Sequence, residues 1–322
     1  MQEMIVQVAL IAIYAVGVGT ISSMVGIGGG IFNTPLLMII FMLSAQVAPA
    51  TSLVAAFILA IASSIAYWKQ SPTPIIPRAA IFLAITTTPG SMIGVALRTL
   101  IESDYILRII FGVSLMPVAI KMLFAVRSEK GDIASELANY NILTLPNKRL
   151  AISLLGGFIG GLSAGLLGIG GGAVIVPVLS ILMGLPMHAA AATSMLTMVF
   201  TAGAGTAMNL ISGYINPYYA IPLGFGMLIG AQVGSRLACK VNSVQLKRFF
   251  GIILVFPLVK MMKLGQIWLD PLDTNVLTST IGDIIIWLAI VIPIGLFRLY
   301  QLRKLYGTSV AQEESCDSRA HE

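Results

Sequence analysis

Residues 26–35 read GIGGGIFNTP and residues 168–177 read GIGGGAVIVP. Each copy is a glycine-rich break that runs directly into helix-compatible apolar residues. Glycine admits positive φ and places no Cβ in the way of a close neighbour. A helix starting just after such a break presents its first N–H groups and the positive end of its dipole to whatever lies there. In water that arrangement hints at phosphate or carboxylate binding. In a bilayer the free groups of a broken helix must face protein or a cavity, and the break becomes a candidate substrate site.

The rest of the chain selects the bilayer. It is 57% hydrophobic and 10% charged with a mean hydropathy of +0.94, whereas soluble domains carry roughly 25% charged residues. No Asp, Glu, Lys or Arg occurs between Glu3 and Lys69 or between Arg149 and Arg236. Such runs far exceed the about 18 apolar residues that signal a transmembrane helix. The chain therefore reads as an all-α polytopic membrane protein with the lipid bilayer as its surroundings. Its net charge of +6 lies in loops and tails and does not indicate a nucleic-acid partner. Cys239 and Cys316 form neither a disulfide framework nor a metal motif. The N-terminus lacks the basic region of a signal peptide and reads as the first span.

Spans are expected at about 4–25, 50–68, 79–97 and 107–124, then at about 150–167, 189–211, 218–237 and 246–262. Short helices are expected after each break, at about 31–43 and 173–184. An additional C-terminal helix, about 276–297, has no counterpart. The implied organisation is a first repeat over 1–125, a cytoplasmic linker over 126–149, a second repeat over 150–263, the additional helix within 264–305, and a disordered tail over 306–322.

The halves align residue by residue. An offset of 142 superposes Gly19 on Gly161, the two GIGGG stretches, Pro35 on Pro177, and Thr51–Ser52 on Thr193–Ser194. An offset of 140 superposes Pro77 on Pro217, Gly90 on Gly230 and Gly94 on Gly234. The linker with Lys121, Arg127, Lys130, Lys148 and Arg149 is expected inside. Counting spans back puts the loop Lys69–Arg78 inside too, and the loop Arg98–Asp104 outside. In the second half the loop Arg236–Arg248 is basic and expected inside, while the uncharged Ser212–Pro217 is expected outside. Equivalent loops thus fall on opposite faces, which defines two inverted-topology repeats.

Such a pair would bring two short-helix N-termini together near the bilayer midplane, able to replace part of an anion's hydration shell. The candidate substrate-binding residues are Gly28, Gly29 and Gly30, and Gly170, Gly171 and Gly172. The bland reading of these glycines is tight helix crossing. Thr51, Ser52, Thr193 and Ser194 are candidate hydroxyl donors to an oxyanion, against the ordinary role of bonding to a helix carbonyl. Asn33 and Thr34 on the first short helix, Gln232 on a later span and Asn209 stand behind them. His188 has a proton-handling side chain, though a histidine at a loop needs no function. Asp283 is an intramembrane carboxylate or a residue facing outer water. Arg98 and Arg236, at span ends, are candidates for gating or steering an anion, against the more ordinary role of snorkelling cations.

The repeated G-x-G-G-G-x-x-x-x-P with a downstream A-x-A-T-S resembles the sulfite exporter TauE/SafE (TSUP) family over nearly the whole chain. The resemblance implies a multi-pass carrier of the bacterial cytoplasmic (inner) membrane for a small anionic substrate, often sulfite, a sulfonate or another sulfur-containing anion. The expectation is an alternating-access transporter without cofactor, metal or catalytic residues; self-association into a homo-oligomer is compatible with it. A passive anion channel and a membrane scaffold subunit for a partner protein are the alternatives. An intramembrane enzyme has no His/Glu metal cluster or Ser/His/Asp set to support it.

Overall fold

A computed structural model of the chain describes residues 2–101 and 145–238, with a few positions between 282 and 293. The expected spans at 107–124 and 246–262, most of the one at 276–297, most of the linker, Asp283 and the tail lie outside the described residues. The described elements are α-helices: α1 (Gln2–Val25), α2 (Gly30–Ile39), α3 (Val47–Trp68), α4 (Pro77–Leu100), α5 (Asn147–Leu167), α6, α7 (Met187–Ile211) and α8 (Pro217–Ala238). α6 is α-helical over Gly172–Pro177 and continues as a π-helical turn over Val178–Leu182.

Among the described residues five helices are long and apolar enough to cross a membrane, at Val6–Val25, Val47–Trp68, Pro77–Leu100, Asn147–Leu167 and Met187–Ile211. α2 has 10 residues, so at a rise of 1.5 Å it covers about 15 Å, half of a hydrocarbon core. The breaks dictate these lengths. Gly168 takes φ 68° as it ends α5, and Gly29 and Gly171 take φ 73° and 86° immediately before α2 and α6. α2 stops at Ile39, short of the expected Leu43, where Met42 takes φ 51° and Leu43 N–H returns to the carbonyl of Leu37 at 3.0 Å.

The distribution of side chains is that of a lipid-embedded bundle. Ile85 is 66% exposed and Ile221 70% exposed on the outer faces of α4 and α8, while Thr51, Ser52, Thr87, Thr193, Thr197 and Thr201 are buried. Apolar surface needs no shelter from lipid, whereas hydroxyls do.

The most extensive helix contacts join α1 to α8 and α4 to α5. Small residues make both crossings. A Cβ on Gly90 would lie 2.6 Å from the carbonyl oxygen of Phe158, and one on Gly161 would lie 2.1 Å from that of Thr87. The repeat-related Gly230 would place its Cβ 2.4 Å from the oxygen of Val16, and Gly19 would place its own 2.8 Å from the Cα of Met227. The fourth helix of each half thus packs on the first helix of the other.

Candidate functional site: two crossed glycine breaks

The two breaks fold alike. In the first, Gly26, Gly28 and Gly29 have φ of 85°, 83° and 73°; in the second, Gly168, Gly170 and Gly171 have 68°, 80° and 86°. L-residues with a Cβ avoid this left-handed region at a cost of about 1–2 kcal/mol. The N–H groups of Phe32 and Asn33 turn back to Gly29 O at 3.0 and 3.1 Å, and those of Val174 and Ile175 to Gly171 O at 3.0 Å each. No side chain caps either short helix.

The breaks also meet. A Cβ on Gly30 would stand 2.0 Å from Gly168 O, and one on Gly172 would stand 2.2 Å from Gly26 O. Serines pin the same carbonyls: Ser52 Oγ donates to Gly168 O at 3.2 Å and Ser194 Oγ to Gly26 O at 2.9 Å. Thr34 Oγ1 donates to Leu167 O at 3.0 Å. At the crossing itself a Cβ on Gly170 would lie 3.8 Å from Gly28 Cα. Met198 reaches in from α7, its Cε 2.1 Å from a Cβ on Gly28 and 2.6 Å from one on Gly170. The repeat-related residue of Met198 is Ala56, whose methyl is 3.3 Å from the Gly170 position.

The candidate hydroxyls divide into two kinds of structural partner. Ser52 and Ser194 hold break carbonyls, as above. Thr51 Oγ1 accepts from Asn216 N–H and Thr193 Oγ1 from Ile76 N–H, both at 3.1 Å. Those two N–H groups immediately precede Pro77 and Pro217, the first residues of α4 and α8, so the threonines anchor helix starts in the opposite half. Gln232 is half-buried on α8. His188 is 5% exposed and packed within α7's first turn. Arg236 is exposed, as a snorkelling cation would be, whereas Arg98 is fully buried. Its guanidinium turns inward because Gly165 and Asn209 supply acceptors there.

The two N-termini differ in what surrounds them. Near Gly29 stand Ser22 Oγ, 3.3 Å from where a Cβ would be, and Met227, whose sulfur receives Asn33 Nδ2 at 3.6 Å. Ser22 Oγ and Asn33 Oδ1 are buried without a hydrogen-bond partner. Near Gly171 the repeat-related atoms are the methyl of Ala164 at 3.4 Å and Cδ1 of Ile175 at 3.1 Å. The repeat-related side chains are thus polar at the first break, Ser22 and Asn33, and apolar at the second, Ala164 and Ile175. Sequence reasoning found Asn33 but passed over Ser22, Met198 and Met227; a search for polar-to-apolar mismatches between aligned halves finds Ser22 against Ala164.

Paired short helices with uncapped N-termini, packed among long apolar spans, define a multi-pass helical membrane protein. Residues 11–261 match the family described as Sulfite exporter TauE/SafE, and the chain belongs to that family. It is a membrane transporter. It is 28% identical over 256 residues to a probable membrane transporter protein, YunE, of Bacillus subtilis, covering 74% of this chain and 90% of that one. A probable membrane transporter protein of Xylella fastidiosa is 29% identical over 245 residues, covering 74% and 88%. One of Methanocaldococcus jannaschii is 29% identical over 275 residues, covering 80% and 97%. No solved structure matches the chain.

Proposed function

We propose that the chain carries small oxyanions, of the sulfite or organosulfonate class, across the cytoplasmic membrane by alternating access between two inverted halves. The observation that carries this reading is the pair of uncapped helix N-termini at one crossing, with the unpartnered Ser22 Oγ and Asn33 Oδ1 beside the first of them. Each N-terminus stabilises an anion by about 0.3–2 kcal/mol. No basic side chain lies in the sequence around either break, so the anion would be held by dipoles and N–H groups and released without breaking an ion pair. The sulfur preference is supported by the family's description. The methyl of Met198 fills the crossing, which favours a gated carrier over an open pore; methionine is flexible enough to withdraw.

The test is anion-dependent thermal stabilisation of the purified protein over sulfite, sulfate, sulfoacetate and simple carboxylates. An anion at 100 times its Kd stabilises the folded state by about 2.7 kcal/mol. Gly29→Asn, which tolerates positive φ, should keep much of that stabilisation, and Gly29→Asp should lose it because its carboxylate occupies the anion's place. Equal stabilisation of the two variants, or none by any anion in the parent, would refute the reading.

A further inference from the structure

Arg98 closes the last turn of α4 with its side chain fully buried. Its Nη1 donates to Gly165 O at 3.1 Å, and its Nη2 donates to Asn209 Oδ1. Asn209 is itself held by Nδ2 donating to Gly205 O at 2.8 Å. Nε has no partner. A guanidinium has five N–H donors. Both acceptors it has found are neutral, so a full positive charge is buried with donors to spare, and a buried charge within a span marks function by default.

Part of this arrangement is structural. Gly165 lies in the last turn of α5, where carbonyls lack intrahelical donors and a cation suits the dipole. The other half shows what that task requires. The repeat-related carbonyl, Ser23 O, receives the hydroxyl of Tyr67 at 2.8 Å, and Tyr67 is the repeat-related residue of Asn209. The position matching Arg98 is Ala238. A neutral phenol therefore meets the need at the end of α1. The charge at the end of α5 is surplus to it.

The surplus lies at one end of a polar stripe that leads to the crossing. On α7, Thr197, Thr201 and Asn209 face α4, with Thr201 Oγ1 donating to Thr87 Oγ1 at 2.7 Å. Between that pair and Arg98 lies Ser91, whose Oγ is buried without a partner. Thr197 adjoins Met198 at the crossing. In the other half the matching positions of Thr197 and Thr201 are Ala55 and Leu59, and that stripe is broken.

We propose that Arg98 is an anion-binding site at one mouth of the path, separate from the glycine crossing, taking an oxyanion of the sulfonate, sulfite or carboxylate class on its unspent N–H groups. The proposal rests on the reading that this chain moves anions. It also makes the two mouths unequal, with the charged one on the face expected outside.

The test measures sulfite affinity of the purified full chain by thermal shift and by uptake into proteoliposomes. Arg98→Gln keeps a donor for Gly165 O but removes the charge. Asn209→Asp leaves Arg98 in place and gives it a covalently tethered counter-anion. Both should weaken sulfite binding at least tenfold, and Asn209→Asp should at the same time raise the unfolding temperature without sulfite. Should Arg98→Gln fail to fold, Asn209→Asp decides alone, because its guanidinium gains a partner. Sulfite affinity within twofold of the parent in the folded variants overturns the proposal and leaves the crossing site standing. A parent that binds no anion overturns both.

Discussion

Gly30 faces the carbonyl oxygen of Gly168 at a separation that leaves no room for a Cβ, which would stand 2.0 Å away. The obstacle is backbone, which cannot rotate aside. Gly30→Ala, and Gly172→Ala facing Gly26 O, should abolish monodisperse protein in detergent. Gly171→Ala pays a different penalty, about 1–2 kcal/mol for holding a residue with a Cβ at positive φ, and should yield a folded but less heat-stable protein. Size-exclusion yield and unfolding midpoint measure both. A Gly30→Ala protein as stable as the parent would mean that the breaks do not touch.

Thr51 and Thr193 anchor the starts of α8 and α4 through the N–H groups of Asn216 and Ile76. Thr51→Val and Thr193→Val should each lower stability by about 1 kcal/mol, the typical worth of such a capping bond, with anion affinity unchanged. A variant of normal stability with weakened affinity would identify these hydroxyls as substrate ligands instead.

Met198 is the side chain to remove in order to open the crossing. Met198→Ala reproduces its repeat-related residue Ala56 and should retain transport while admitting bulkier anions, at a stability cost toward the low end of about 2–5 kcal/mol. Met198→Phe should stop flux, since a ring cannot fold away as a thioether does. Competition uptake with anions of graded size reads both; identical size limits in parent and Met198→Ala would place the constriction elsewhere.

Loop charge assigns equivalent loops to opposite faces. A topology reporter inserted between Lys69 and Arg78 should read cytoplasmic, and one between Ser212 and Pro217 external. Readings from the same side would make the repeats parallel and remove the geometric basis of alternating access.

The lengths of the helices were legible because glycine and charge act locally. Val25 and Leu167 end their helices where the GIGGG stretches begin, since few other residues accept consecutive positive φ. Helix partners were not legible. The glycines of α4 show that something packs closely there, but not that it is α5 of the other half. Arg98 failed for a related reason: a lone arginine closing an apolar span reads as snorkelling, and its acceptors lie in helices far away along the chain. Thr51, Ser52, Thr193 and Ser194 were recognisable as meaningful by their repetition. Their partners, backbone groups in the opposite half, required the fold.

The exchange of helices between the halves also sets an order of events in synthesis. α1 leaves the ribosome about 190 residues ahead of α8, the helix whose glycines it fits. At roughly 5–20 residues per second this interval is on the order of 10–40 s. During it the glycine-fitted face of α1 lacks its native partner, although α3, whose Tyr67 bonds to Ser23 O, is already translated. The early helices therefore wait in the membrane with that face unfilled until α8, its native seat, is translated.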